Sequence, residues 1–237
     1  MKRLSALLIV LCLAVSLFAA ATVKVGGSYE SIIGYTNEFK SAEQADSAKY
    51  VYKGHGFGFN VATKYSVSGK LATWATFGMS FLSDVKIKPE NGTDWLSIKE
   101  MYDDMKTYEM DKLSKKTYAL YLSAGVAVEL PLNAPVEVAL GGGISLERVM
   151  GQVAAKDGDL EYLFGVKFIN VGIAGYAEAA YKINDNIAVG LTIMPRLGIL
   201  DFSKYYAESM GKKFEAKAGG FRLGFSMPVV LGASYSF

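Results

Sequence analysis

The stretch Gly219 to Phe237 reads GGFRLGFSMPVVLGASYSF, and it decides the fold of the chain. Counting back from Phe237, every second residue as far as Phe221 is apolar, whereas the residues between them are mostly small or polar. A period of two is typical of a β-strand whose faces meet different surroundings. The last residue is aromatic, and Tyr235 lies two positions earlier. The pattern predicts the closing strand of a barrel whose apolar face meets lipid.

The opposite end of the chain has the pattern of a secretory signal peptide. Two basic residues precede an apolar run, residues 4–18. Ala19 and Ala21 then occupy the small-residue positions of an A-x-A cleavage site. We therefore expect residues 1–21 to be a cleaved signal peptide and residues 22–237 to form one domain.

Composition limits the classes of function. The formal net charge of +2 falls to about zero without the two basic signal residues, and no basic stripe indicates a nucleic-acid partner. The single cysteine, Cys12, lies inside the predicted signal peptide, so the mature chain would have no disulfide. One histidine, His55, offers too few ligands for a metal centre and no partner for catalysis, so we expect neither an enzyme nor a cofactor.

The mature chain divides into alternating segments that are separated by turn residues. We predict eight strands, at 23–36, 55–67, 71–83, 117–130, 136–148, 163–183, 187–202 and 220–237. Short turns alternate with long connections, and the long ones are 37–54, 84–116, 149–162 and 203–219. This rhythm predicts an all-β fold, a transmembrane antiparallel up-and-down β-barrel. If segment 84–116 formed two more strands, the barrel would have ten.

The two faces of the predicted strands differ in charge. One face is apolar and aromatic and has no charged residue in the predicted span, as lipid requires. The other face, between small residues, has five bases and five acids, which are Lys24, Glu30, Lys64, Glu129, Glu137, Glu147, Glu178, Lys182, Arg196 and Arg222. A secreted soluble barrel of the lipocalin type is the alternative, but it needs an apolar lumen and a polar exterior. The bulky, uncharged face therefore favours the membrane barrel.

With these features the chain resembles small eight-stranded bacterial outer-membrane proteins of the OmpA, OmpX and OmpW type. The resemblance implies a location in the outer membrane, with lipid as a partner. It also implies that Tyr235 and Phe237 form the signal that the barrel-assembly machinery reads. Side exits for small apolar molecules, as proposed for OmpW-type transporters, become a hypothesis for this chain too.

The inward charges have two interpretations. The interior of an eight-stranded barrel is filled by side chains, so the charges could pair and close it. Alternatively, the small residues between them could leave a narrow polar route. Pro195 and Pro228 add a third possibility, because proline removes a ladder donor from a strand. They fall at similar depth on neighbouring strands, and we interpret them as a possible lateral opening.

The connection 84–116 has apolar residues spaced by three to five, which predicts an amphipathic helix at about 94–112 with Thr93 or Asp94 as N-cap. An extended hairpin is the alternative. Connections 37–54 and 84–116 would contact host or extracellular ligands. The sequence thus predicts an outer-membrane barrel that is either a structural platform for surface loops or a narrow channel for small molecules.

Overall fold

The computed structural model describes residues 21–41, 49–108, 110–130, 132, 135–158, 160–209 and 211–237. Its main element is one antiparallel sheet that closes on itself. The strands are β1 Ala21–Tyr35, β2 Lys40–Ser41, β3 Tyr50–Ser68, β4 Leu71–Pro89, β5 Leu96–Ser97, β6 Lys112–Leu130, β7 Val136–Asp157, β8 Leu160–Lys182, β9 Ile187–Ile193, β10 Arg196–Ser209 and β11 Lys212–Ser236. One helix, α1, spans Ile98–Thr107.

The barrel has eight strand positions, as the sequence predicted. Around the ring the order is β1, β3, β4, β6, β7, β8, β10 and β11, and β11 pairs again with β1. The short strand β9 continues the line of β10, because both pair with β8 and β11. At the closing seam Tyr235 lies opposite Val23, so the quoted C-terminal stretch does close the barrel.

The two ends of the barrel differ. At one end, the turn end, the connections after β3, β6 and β8 are short. At the other, the loop end, the predicted long connections 149–162 and 203–219 are wrong. They are strand almost throughout, and only residues 158–159 and 210–211 lie between β7 and β8 and between β10 and β11. Gly158 and Gly211 have positive φ angles of 57° and 75°, which suit glycine in such tight turns.

These strands extend beyond the predicted bounds because the apolar residues move from the outward face to the inward face along each strand. In the middle of β7, Ile144 and Leu146 point outward and are exposed. Farther toward the loop end, Val149 and Val153 point inward and are buried, whereas outward positions such as Gln152 are polar. A strand that leaves lipid for water reverses the side on which it needs apolar residues. A search for one continuous apolar face therefore ends each strand too early.

The outer surface has the apolar belt that the sequence predicted. Large apolar side chains are exposed around the ring, among them Phe57 at 72%, Ile144 at 70% and Leu231 at 69%. Soluble monomers rarely expose such a continuous apolar surface. The belt is the reverse of a lipocalin-like soluble barrel, so it argues against that alternative.

The connection between β4 and β6 contains the predicted helix, but the helix is shorter than 94–112. Helix α1 begins at Ile98, and the N-cap is Ser97, whose Oγ accepts a hydrogen bond from the Glu100 N–H at 3.0 Å. Thr93 and Asp94 lie before β5, so neither is the N-cap. The segment adds no full-length strands, and the ten-strand alternative is wrong. None of the described helical residues forms a helix that is long and apolar enough to cross a membrane.

The predicted signal peptide lies outside the described residues, apart from Ala21 at the start of β1. Its cleavage remains a prediction.

Candidate functional site: the barrel lumen

The buried guanidinium of Arg196 is the centre of the lumen at mid-height. Arg196 begins β10 and points inward, and its side chain is only 2% exposed. It forms ion pairs with Glu30 of β1 and with Glu147 of β7, and the Glu147 Oε1 lies 3.1 Å from the Arg196 Nη2. The guanidinium carbon also lies 3.8 Å from the ring centroid of Tyr121. This central cluster (Glu30, Glu147, Arg196) joins three strands across the lumen.

Hydrogen bonds from neighbouring side chains extend the central cluster toward the loop end. The Asn170 amide donates to Glu147 Oε2 at 3.4 Å and also to the hydroxyl of Tyr52. The ring of Tyr52 stacks on Phe168 with a centroid distance of 3.8 Å. Tyr52 was missed in the sequence because it lies in the predicted loop 37–54, whereas it belongs to β3.

Several buried polar atoms of the lumen have no hydrogen-bond partner among the described residues. They are Nε and Nη1 of Arg196, Oε2 of Glu30 and the hydroxyls of Ser28, Ser80 and Ser123. Buried polar groups are normally hydrogen-bonded, to protein or to water.

A second group of charges fills the lumen nearer the turn end. Lys24 contacts Glu178 at 3.2 Å and donates to the Thr192 hydroxyl at 2.5 Å. Lys64 lies 2.9 Å from Glu129 and 3.7 Å from Glu178. We call these four charged residues the turn-end cluster (Lys24, Lys64, Glu129, Glu178). Two cations and two carboxylates balance there.

The remaining predicted inward charges lie at the rims. At the turn end, Lys182 and Glu137 pair at 2.8 Å and are both about half exposed. They line a cavity of about 190 Å³ together with Lys64 and Glu129. At the loop end, Arg222 pairs at 2.8 Å with Glu90, which was not among the predicted residues. Each of the ten predicted charges therefore has an opposite charge within 4 Å, although only some are deeply buried.

Above the central cluster the lumen becomes apolar. The loop-end core is a buried cluster of side chains from six strands and α1, namely Ile32, Tyr52, Leu82, Val85, Ile87, Ile98, Ala119, Val149, Val153, Val166 and Phe168. Helix α1 covers it with Met101, Tyr102 and Met105. Toward the turns, the buried ion pairs lie beside a smaller apolar cluster that includes Trp74, Tyr176 and Met194. Toward the loops, the larger apolar core fills most of the lumen.

The barrel wall is incomplete beside this core. β4 and β6 pair from Leu71–Val128 as far as Phe81–Tyr118, and beyond that point β4 pairs with β5 instead. Helix α1 contacts β4, β6 and β7 there. Fully buried Ile98 lies so close to Gly151 of β7 that a Cβ at Gly151 would come within 2.9 Å of the Ile98 Cγ1. Helix α1 thus closes the space between β4 and β6.

The two prolines of the predicted lateral opening do lie together. Ile193 pairs with Val229 and Arg196 with Ser226, so the register runs unbroken past Pro195 and Pro228. Pro228 accepts a hydrogen bond from the Met194 N–H at 3.1 Å, and Pro195 accepts one from the Gly175 N–H at 2.7 Å. Because proline has no N–H, Pro228 cannot donate a hydrogen bond back to Met194, and Pro195 cannot donate one back to Gly175. Two adjacent strand pairings therefore lack one backbone hydrogen bond each.

His55 lies on the outer face near the loop end and has a neighbour that the sequence did not reveal. Its Nε2 lies 3.0 Å from the hydroxyl of Ser83, at a bulge between β3 and β4. A catalytic serine–histidine pair needs a third group that orients the ring. Among the described residues no side chain hydrogen-bonds to the other ring nitrogen of His55.

No protein-family model matches the sequence, and no curated protein matches it either. Among solved structures, the chain is similar to a major outer membrane protein from Thermus thermophilus, with a TM-score of 0.55, 18% identity and coverage of 90% of this chain and 99% of that chain. It is also similar to OprG from Pseudomonas aeruginosa, with a TM-score of 0.52, 12% identity and coverage of 93% and 97%. Ail of Yersinia pestis matches with a TM-score of 0.43, 12% identity and coverage of 93% and 99%. The chain therefore has the fold of the small eight-stranded outer-membrane β-barrels.

Proposed function

We propose that the protein is an integral barrel of the bacterial outer membrane that takes small apolar molecules into its loop-end half and releases them sideways into lipid. The observation that supports this proposal is that the larger apolar core lies toward the loops, whereas the buried ion pairs lie toward the turns. The larger core therefore faces the side from which molecules from outside would enter. The solved structures that it resembles are outer-membrane proteins, which supports the proposed location.

Neither class of solute has a favourable path along the barrel axis. An ion that entered from the loop end would have to cross the loop-end core, where an unpaired charge is costly. An apolar molecule that moved on toward the turns would have to separate the buried ion pairs of Arg196 and then those of Lys24 and Lys64. Breaking a buried pair typically costs about 3–5 kcal/mol. A sideways exit avoids both barriers.

The opening between β4 and β6 is the exit that we favour. It begins above the Phe81–Tyr118 pair, beside the loop-end core, and no ladder hydrogen bond has to break there. Helix α1 closes it through apolar contacts of Met101, Tyr102 and Met105. The Asp84 carboxylate of β4 also accepts hydrogen bonds at the start of the helix, from the Ser97 hydroxyl at 2.6 Å and the Lys99 N–H at 2.8 Å. A displacement of α1 would open the apolar core just above Phe81, an exposed member of the apolar belt.

The proline seam is the alternative exit. Pro195 and Pro228 each remove one backbone hydrogen bond from the strand pairings around β9 and β10. The pairing register of these strands with β11 nevertheless continues past both prolines. Hydrogen exchange of the β9, β10 and β11 amides distinguishes the exits. Exchange near the prolines that is no faster than in the β6–β7 seam would exclude the proline seam as an opening.

Assembly into the membrane is proposed to depend on the C-terminal strand. Tyr235 and Phe237 are 46% and 70% exposed on the outer face of β11, and their rings contact each other with a centroid distance of 4.9 Å. Their accessibility suits recognition by the barrel-assembly machinery, and lipid would cover them after insertion.

A paired transport measurement tests the function. The protein is reconstituted into vesicles, and both single-channel conductance and uptake of a small apolar fluorescent solute are recorded. We expect no steady conductance but uptake above that of protein-free vesicles. Met105→Glu should loosen α1 and change the uptake rate, because Met105 packs against the loop-end core. Lys106→Glu, on the exposed side of the same helix, is the matched control and should behave like wild type.

Two results would refute the transport proposal. A large ohmic conductance would show a continuous polar route, contrary to the closed lumen. Uptake equal to that of protein-free vesicles, for wild type and Met105→Glu alike, would leave the surface platform as the function. That alternative is favoured by the pairing of charges throughout the lumen, and connections 37–54 and 84–116 would then contact extracellular ligands.

A further inference from the structure

A row of like charges crosses the outer wall at the upper edge of the apolar belt. Lys167 of β8 lies directly opposite Lys204 of β10, and Lys204 lies directly opposite Lys217 of β11. Like charges directly opposite each other in a sheet are destabilising. The register also pairs Lys217 with Lys40 of β2. A sequence that places four lysines in one cross-strand row loses stability unless an anion lies beside them.

Another base lies beside the row on the neighbouring strand β7. Arg148 of β7 lies opposite Ile169, two residues along β8 from Lys167, and points outward too. Its guanidinium carbon lies 5.9 Å from the ring centroid of Tyr118. Its Nε has no hydrogen-bond partner among the described residues.

Protein carboxylates neutralise only part of this surface. Glu215 lies 2.5 Å from Lys204 and 3.0 Å from Lys217, and hydrogen bonds from these lysines hold its pKa below the usual value. Within the described chain, neither Lys167 nor Arg148 has a carboxylate within 4 Å. Glu215 thus neutralises part of the charge of Lys204 and Lys217, whereas Lys167 and Arg148 have no such partner among the described residues.

The height of the row indicates the chemistry of its partner. Two residues closer to the turn end on the same strands, the outward pair is apolar, namely Phe202 of β10 and Ile169 of β8. Phe202 is 51% exposed. The row also has aromatic neighbours, since the Lys204 Nζ lies 5.8 Å from the Tyr206 ring centroid. Bases and aromatics above an apolar belt are typical of the membrane interface, where lipid phosphates lie.

We propose that Arg148, Lys167 and Lys204 bind phosphate groups of lipid headgroups in the leaflet at the loop end. The acyl chains of the same lipid would lie along the apolar belt below, and Lys217 would contact the headgroup from the side. The site is independent of the lumen but rests on the proposed membrane location. Flotation of the protein with phosphatidylcholine vesicles tests that location separately.

The test compares lipid binding by two charge variants of the full chain. Wild type, R148Q/K167Q/K204Q and the matched control K112Q/K156Q/K213Q are placed in phosphatidylcholine nanodiscs with or without diphosphorylated lipid A. Each lost charge-assisted hydrogen bond corresponds to about a tenfold loss of affinity, so the triple variant should bind lipid A at least about tenfold more weakly. The control, which removes three charges nearer the loop tips, should bind like wild type.

Thermal unfolding provides a second readout. In pure phosphatidylcholine, K167Q should unfold at the same temperature as wild type or higher, because the variant relieves repulsion. Lipid A should stabilise wild type more than K167Q, and salt should reduce the difference. Folding is verified by the mobility shift of unboiled protein on a gel, and K167Q alone is sufficient if the triple variant does not fold.

Three results would overturn the proposal. The control triple could lose as much affinity as R148Q/K167Q/K204Q, which would indicate a general charge effect. Inorganic phosphate could stabilise wild type as much as lipid A does, which would indicate a site for soluble anions. Wild type could also show no preference for lipid A over phosphatidylcholine.

Discussion

Replacement of Arg196 by methionine should reveal how strongly the central cluster holds the barrel. Methionine keeps much of the side-chain volume but removes the charge. Glu30 and Glu147, which are buried at 0% and 7% side-chain exposure, would then face each other without a cation. Removing one partner of a buried ion pair typically destabilises by about 3–5 kcal/mol.

Protonation limits the size of this effect. A glutamate with the ordinary pKa of about 4.3 costs about 3.7 kcal/mol to protonate at pH 7, so each carboxylate can escape its burial at roughly that cost. At pH 5 the same protonation costs about 1 kcal/mol. We therefore expect Arg196→Met to lose about 3–5 kcal/mol at pH 7 and distinctly less at pH 5.

Urea unfolding from lipid vesicles, followed by tryptophan fluorescence and by the gel mobility shift, measures the free energy of unfolding. Arg196→Met/Glu30→Gln/Glu147→Gln is the matched control, because it removes the cluster without leaving bare carboxylates. It should recover most of the lost stability. The reasoning is refuted if Arg196→Met loses less than about 1 kcal/mol at pH 7 or if the triple variant is as unstable as the single one.

Three further predictions concern packing, the helix and assembly. Gly78→Ala should lower the unfolding midpoint, since a Cβ there would overlap the ring of Tyr121, whereas Gly27→Ala has open space and should not. Ser97→Ala should cost about 1 kcal/mol through loss of the N-cap and speed hydrogen exchange in α1. Deletion of Phe237 should slow folding catalysed by the assembly machinery but leave the urea midpoint nearly unchanged; equal rates for both chains would contradict the sorting role.

The barrel itself could be predicted from sequence because each strand allows only two phases. Once Phe237 and Tyr235 are placed outward, the same rule applied to the other strands puts Glu30, Glu147 and Arg196 inward. Which of these residues meet could not be predicted. Glu30 and Arg196 are 166 positions apart, and the stagger of the strands around the ring, which no single segment encodes, decides which inward residues share a height.

Other features were missed because the residue pattern that identifies them differs between the lipid-facing and the water-facing parts of the chain, or is shared by several residue types. Val149 and Val153 are buried in a strand extension whose outward face is polar, so the rule that fits lipid fails in water. Asn170 lies inward on the same strand as the predicted charge Glu178, but an asparagine is ordinary on either face, and Tyr52 fell in the predicted connection 37–54. The start of α1 was misplaced because threonine, aspartate and serine all precede the apolar spacing, and only the structure shows that Ser97 receives the hydrogen bond.

The position of the central cluster bears on which side exit is plausible. Pro228 pairs directly with Glu30 across the closing seam, and Pro195 directly precedes Arg196. The missing donors of the two prolines forfeit about 0.5–1.5 kcal/mol each. The ion pairs at the same height join β1, β7 and β10 and oppose separation by about 3–5 kcal/mol, so they more than offset the weakness of the proline seam. At the β4–β6 opening, apolar contacts of α1 and the hydrogen bonds that Asp84 accepts close the wall. The ion pair that joins β4 to α1 there, Lys86 with Glu100 at 3.7 Å, is exposed and therefore weaker than the central cluster. The strong cluster thus keeps the prolines from opening the barrel, and the side that can yield is the one that α1 covers.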